Sequence, residues 1–224
     1  MTAASVQSVF IAVIILVIYW FYYMLAKPPK MEHRRFDSVN FKTGDIILFH
    51  AYDNINPVFI GSYWGHIGIV FRDPDNPHAA PVLFEALRTS KMKQCPDRIK
   101  HGIAVTDLKT RLSKYRGLIA YKELNRAVDS RIVRGFKELM HYAYNNMSYN
   151  DEVITNGLNK KTGEPLNNST NCGEIVFLSL IKLGLLPVKD LEKNIAHHLL
   201  YAAKLTELQN NCYHEPVELT FNRF

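Results

Sequence analysis

The chain has 224 residues, 47% of them hydrophobic, a formal net charge of +6 and three cysteines. This length suits one domain with a sizeable core, and the composition excludes a disordered, collagen-like or low-complexity chain. The cysteines show no CxxC spacing and are odd in number, which argues against a disulfide framework and a structural zinc site.

The first segment is apolar. Val9 to Ala26 carries no charge, and at 1.5 Å per residue it would reach about 27 Å, close to one hydrocarbon core. Tyr19, Trp20, Tyr22 and Tyr23 crowd its C-terminal end like an aromatic belt. Residues 1–26 are therefore expected to form a transmembrane anchor. A secretory signal is the rival, but it would need a basic first region and a small-residue cleavage site. Residues 27–40 read as a basic linker, with Lys27, Lys30, Arg34 and Arg35 against Glu32, stiffened by Pro28-Pro29. Positive charge after the span and none before it places the remaining domain, 41–224, on the cytosolic side of a single-pass membrane protein. That compartment suits a free thiol and would leave the sequons at Asn146, Asn167 and Asn168 unglycosylated.

Phe41 to Phe49 and Tyr63 to Phe71 read as turn, strand, loop, strand, with β-branched and aromatic runs bounded by Gly and Asp. His66 opens the second strand, and Gly65 and Gly68 beside it leave room for a backbone or substrate to approach. After the polar turn Asp73 to Pro77, the run Pro81 to Ala86 holds one acid, Glu85, among apolar neighbours. A lone carboxylate there is costly without a partner, for which Arg72 and Arg88 are candidates. An antiparallel hairpin about that turn would bring Glu85 within about two positions of the point opposite His66.

Further along, the pattern predicts a strand near Gly102 to Thr106, a short helix from Leu108, a strand from Gly117 to Leu124 and a helix from about Asp129 to Tyr144. The last is capped by Asp129 or Ser130 and has Ile132, Val133, Phe136, Leu139 and Met140 on one stripe. Arg88 to Arg126 holds 11 basic and 3 acidic residues, a solvated face or a contact for an anionic membrane surface. No stacking or groove-reading motif suggests nucleic acid. Ser148 to Thr170 is a polar loop, either a lid or a disordered insertion. Cys95 and Cys212 read as reduced structural residues, and His197-His198 make a poor metal pair because they face different directions on a helix.

A helix apolar almost all the way round begins at Cys172 and runs to about Leu183. Such a helix lies centrally in its domain, and its first residue meets unpaired N–H groups and a positive dipole end, which favour a thiolate. Most free cysteines are simply small buried residues. Cys172 as nucleophile, His66 as base and Glu85 as the group that orients the imidazole nevertheless form a coherent set at element ends.

The order Gly44-Asp45-Ile46-Ile47, then Gly65-His66-Ile67-Gly68-Ile69-Val70, then Glu85, then Asn171-Cys172-Gly173-Glu174-Ile175-Val176 resembles the circularly permuted NlpC-type branch of the papain-like superfamily. That branch includes bacterial lipoprotein-like hydrolases, lecithin retinol acyltransferase relatives and a poxvirus group. The resemblance covers Phe41 to Leu186. It implies an α+β fold, an antiparallel sheet packed on a central cysteine-bearing helix, and a catalytic set of Cys172, His66 and Glu85. Many members have Tyr-Cys-Ser-Glu at the helix start, often after Tyr-Asp, where this chain has Asn-Cys-Gly-Glu and Tyr149-Asn150-Asp151; Gly173 lacks the serine hydroxyl.

The expectation is a membrane-anchored thiol hydrolase or acyltransferase cleaving an amide, ester or thioester through an acyl-enzyme on Cys172, with a lipid or membrane-bound peptide as substrate. No cofactor and no metal are expected. The alternative is an inactive membrane or virion protein that keeps the fold for binding or scaffolding.

Overall fold

The apolar runs that follow Gly44 and Gly65 become central strands of an eight-stranded sheet in the computed structural model, which describes residues 3–26, 30–50, 63–87, 99–149, 168–186 and 212–221. The strands are β1 (Glu32–Arg35), β2 (Ile46–Phe49), β3 (His66–Phe71), β4 (Val82–Ala86), β5 (Ile99–Lys100), β6 (Ile103–Asp107), β7 (Ile119–Lys122) and β10 (Val217–Thr220). Their order across the sheet is β1-β10-β7-β2-β3-β4-β6-β5. A separate parallel pair joins β8 (Ser148–Tyr149) to β9 (Ser169–Thr170). The helices are α1 (Ala3–Ala26), α2 (Leu108–Ser113), α3 (Ser130–Asn146) and α4 (Cys172–Lys182).

The main sheet is buried on both faces at its centre, which is why β2, β3 and β4 read as continuous apolar runs and not as alternating ones. Ile46, Leu48, Ile67, Ile69 and Phe84 share a core with α3 and α4. Ile47, Phe49, Val70, Leu83 and Tyr121 pack on the opposite side with Leu108 and Leu112 of α2. The expected antiparallel sheet is corrected at one edge, where β1 runs parallel to β10 and the sheet becomes mixed. These two strands come from opposite ends of the domain, so no tight turn obliges them to run antiparallel. Part of the segment expected as a linker, Glu32–Arg35, thus lies in the sheet.

Asp45 anchors the start of β2. It is fully buried and accepts from Lys42 N at 2.7 Å, Leu124 N at 2.9 Å and the Tyr121 hydroxyl at 3.0 Å. These bonds join the Gly44 turn, whose φ of 97° suits glycine, to the end of β7. The third helix begins as expected, with Asp129 accepting from Arg131 N, and buries Val133, Phe136, Leu139 and Met140. Ile132 is the exception on that stripe, at 40% exposed.

The expected transmembrane anchor is corrected. Among the described residues no helix is long and apolar enough to cross a membrane. The first segment is helical over Ala3–Ala26. The single-pass membrane localisation, with the domain on the cytosolic side, falls with the span. Pro28-Pro29, Arg88, Cys95, residues 150–167 of the expected loop and His197-His198 lie outside the described residues.

Candidate active site

Asn171 sets the start of α4 through a capping box. Its Oδ1 accepts from Gly173 N at 2.9 Å and Glu174 N at 3.0 Å, while Glu174 Oε2 accepts from Asn171 N at 3.1 Å. The spacing Asn171-x-x-Glu174 carries this signal in the sequence. The helix buries Ile175 to Leu180 against the sheet, and Gly184, at φ 65°, closes its far end with Leu185 N donating to Leu180 O. Cys172, the first helical residue, is held half-buried where the core meets the surface.

His66 reaches this point from β3, where its imidazole interacts with the Cys172 thiol. Its Nε2 lies 2.7 Å from Glu85 Oε2. The β3–β4 register pairs Ile69 with Phe84 and Val70 with Leu83, so Glu85 falls opposite Gly68, two positions from His66 and on the same face. Gly68 makes the diagonal contact possible. A Cβ there would sit 2.9 Å from Leu83 Cδ1 and 3.3 Å from Glu85 Cβ. The room expected beside His66 for a backbone or substrate is occupied at Gly68 by these two side chains.

Glu85 is fully buried, and among the described residues its cation is not Arg72. Arg111 from α2 takes both oxygens, Nε to Oε1 at 2.6 Å and Nη2 to Oε2 at 3.2 Å. Arg72 is spent on backbone carbonyls, those of Phe41 and Pro77. Sequence reasoning missed Arg111, which was counted in the basic face. The readable signal is its place between Leu108 and Leu112 in helical spacing, which puts it on the buried side of α2. Lys122 of the same basic stretch is buried as well, whereas Lys109 and Lys114 are exposed.

Burial alone would lower the His66 pKa, but the bonds to Cys172 and Glu85 outweigh it and hold the imidazole above its ordinary value. Burial would raise the Cys172 thiol. The His66 partner and the N–H groups of Ile67 and Gly173 win, and the thiol sits below its usual range. Burial likewise opposes the charge on Glu85, and the Arg111 guanidinium followed by His66 holds it low. All three directions favour a thiolate–imidazolium pair. The capping box alters one expectation at this site. With Gly173 N–H and Glu174 N–H engaged by Asn171, among the described residues the N–H of Cys172 itself is the helix-start donor left for a developing oxyanion. Glu174, two residues on, is pushed up to about 7 by burial, against the pull of Asn171 N–H and Thr170. Among the described residues no cluster of three or more His, Cys, Asp or Glu side chains can hold a metal ion.

No family model matches the sequence, and no curated protein matches it. Among solved structures, the chain is similar to the metalloprotein yiiX from Escherichia coli O157:H7, DUF1105, at 19% identity and a TM-score of 0.44, covering 79% of this chain and 87% of that one.

Proposed function

We propose that this chain is a cysteine hydrolase or acyltransferase that works through an acyl-enzyme on Cys172. The observation that carries the reading is the pairing of Cys172 with the His66 imidazole, whose Nε2 is held 2.7 Å from the buried Glu85 carboxylate. A nucleophile, a base and an orienting acid in that sequence of contacts are what acyl transfer requires. The motifs around Gly44, His66 and Cys172 that resemble the permuted NlpC-type papain-like group support it independently.

In this reading the Cys172 thiolate adds to the carbonyl carbon of an amide, ester or thioester. The oxyanion is met by the Cys172 N–H at the positive end of α4. His66, as imidazolium, gives its proton to the leaving amine, alcohol or thiol as the carbon–heteroatom bond breaks. The neutral imidazole then takes a proton from water or an acyl acceptor, which attacks the thioester and releases Cys172. Glu85 orients the ring throughout and is a positioning residue.

Iodoacetamide titration of the full chain from pH 5 to 9, with adducts mapped by mass spectrometry, tests this. Cys172 is expected to react at least tenfold faster than Cys212 below pH 7. Equal rates for the two cysteines would remove the thiolate and the proposal with it.

A further inference from the structure

Arg111 stands behind the pair formed by His66 and Glu85. Its side chain is almost completely buried, its guanidinium lies 4.7 Å from the Phe49 ring centroid, and the Tyr115 ring is 5.7 Å away on the same group. Phe49 in turn packs against His66 at 5.2 Å between centroids. The fork spans both Glu85 oxygens, and Oε2 is shared between Arg111 Nη2 and His66 Nε2. A buried guanidinium held by two aromatic faces and a bidentate carboxylate has little freedom, so it fixes the plane of that carboxylate.

We propose that Arg111 is a positioning residue that locks Glu85 against His66 and offsets its charge, so that the imidazolium proton stays transferable. The inference rests on the hydrolase reading for its consequence in turnover, though not for its effect on His66. Four charges meet here: Glu85 from β4, Arg111 from α2, Cys172 from α4 and the His66 imidazolium itself. Tyr115 faces the guanidinium, and His50, next to Phe49, is turned to the Tyr63 carbonyl at 2.6 Å. A carboxylate without its cation would bind the imidazolium proton harder, and a general acid that holds its proton too firmly is a poor donor to a leaving group. Arg111 prevents this while keeping the orienting bond.

The test uses the full chain with nitrogen-15 histidine, following the His66 ring resonances from pH 5 to 10 in the wild type, Arg111→Lys and Arg111→Met. His66→Ala supplies the assignment. Arg111→Met is expected to move the loss of the His66 proton about one pH unit higher. Arg111→Lys, which keeps a charge and loses the fork, should move it about half as far and remain folded. On an ester and thioester panel, Arg111→Lys should lower kcat at least tenfold with KM little changed, and the basic limb of the rate profile should shift with the resonance. A His66 titration in Arg111→Lys that superimposes on the wild type, with full kcat and only a lower Tm, would overturn the proposal. If the wild type turns over no substrate and does not alkylate selectively while the His66 titration still moves, the hydrolase reading fails and the positioning role of Arg111 stands.

Discussion

Replacing Asp45 by Ala would break the junction that holds the Gly44 turn to the end of β7. The carboxylate accepts three bonds, of which those from Leu124 N–H and the Tyr121 hydroxyl are buried and that from Lys42 N–H is partly buried. Water cannot replace an acceptor for the two buried donors without opening the sheet, and each orphaned donor costs about 1–3 kcal/mol. Asp45→Ala is therefore expected to cost about 4 kcal/mol, with a smaller addition from Lys42. Asp45→Asn keeps one oxygen for Leu124 N–H, and the Tyr121 hydroxyl can rotate to accept from the amide. That variant loses essentially the Lys42 bond, at about 1 kcal/mol. Urea unfolding followed by intrinsic fluorescence measures both. With a slope of about 2 kcal/mol/M, the midpoint should fall by about 2 M in the alanine variant and about 0.5 M in the asparagine variant. His66 pairs with Phe49 at the other end of β2, about 13 Å along the strand, so alkylation of Cys172 in the folded fraction should not change. An alanine variant within 1 kcal/mol of the wild type, or equal to the asparagine one, would refute the reasoning.

Glu174 titrates higher in the folded chain, at about 7 against an ordinary 4.5, so its contribution to stability is full below about pH 4.5 and is lost as pH rises to about 7. The stability difference between wild type and Glu174→Gln should accordingly decline over that window by up to about 3 kcal/mol, and a difference that grows with pH in paired chemical denaturations would contradict the sign. Asn171→Ala removes the acceptor for two helix-start N–H groups and should cost about 1 kcal/mol in denaturant unfolding while slowing Cys172 alkylation; unchanged alkylation would mean that the cap does not place the sulfur. Gly68→Ala forces a Cβ onto Leu83 and Glu85, so it should lower Tm and reduce turnover by disturbing the contact between His66 and Glu85; an activity equal to wild type at a lower Tm would show that the contact tolerates the shift. His66→Ala should cost nearly as much turnover as Cys172→Ala and also slow alkylation below pH 7, whereas Glu85→Gln should cost less; full activity in His66→Ala would end the catalytic assignment.

Local pattern in the sequence determined a good deal of this protein. The period of the apolar residues placed β2, β3, β4, α3 and α4, the Asp129 cap opened its helix, and the short turn after β3 obliged β4 to return beside it within reach of His66. Such features depend on neighbours a few residues apart, whose interactions a linear reading can follow. The partner of Glu85 was a different matter. Arg72 is nearer in sequence, yet Arg111 is the cation that the packing of α2 on the face of Phe49 and Leu83 turns inward. The basic stretch divided in the same way, because a lysine or arginine joins the core or the surface according to which face of its element meets the sheet. The parallel edge pair of β1 and β10 joins residues 32–35 to 217–220, a separation over which no local rule fixes direction. The absence of charge in the first segment expressed its apolar character, and the expected span was not upheld among the described residues. Contacts between distant segments exist only after the chain has closed on itself, and their identity is set by tertiary packing.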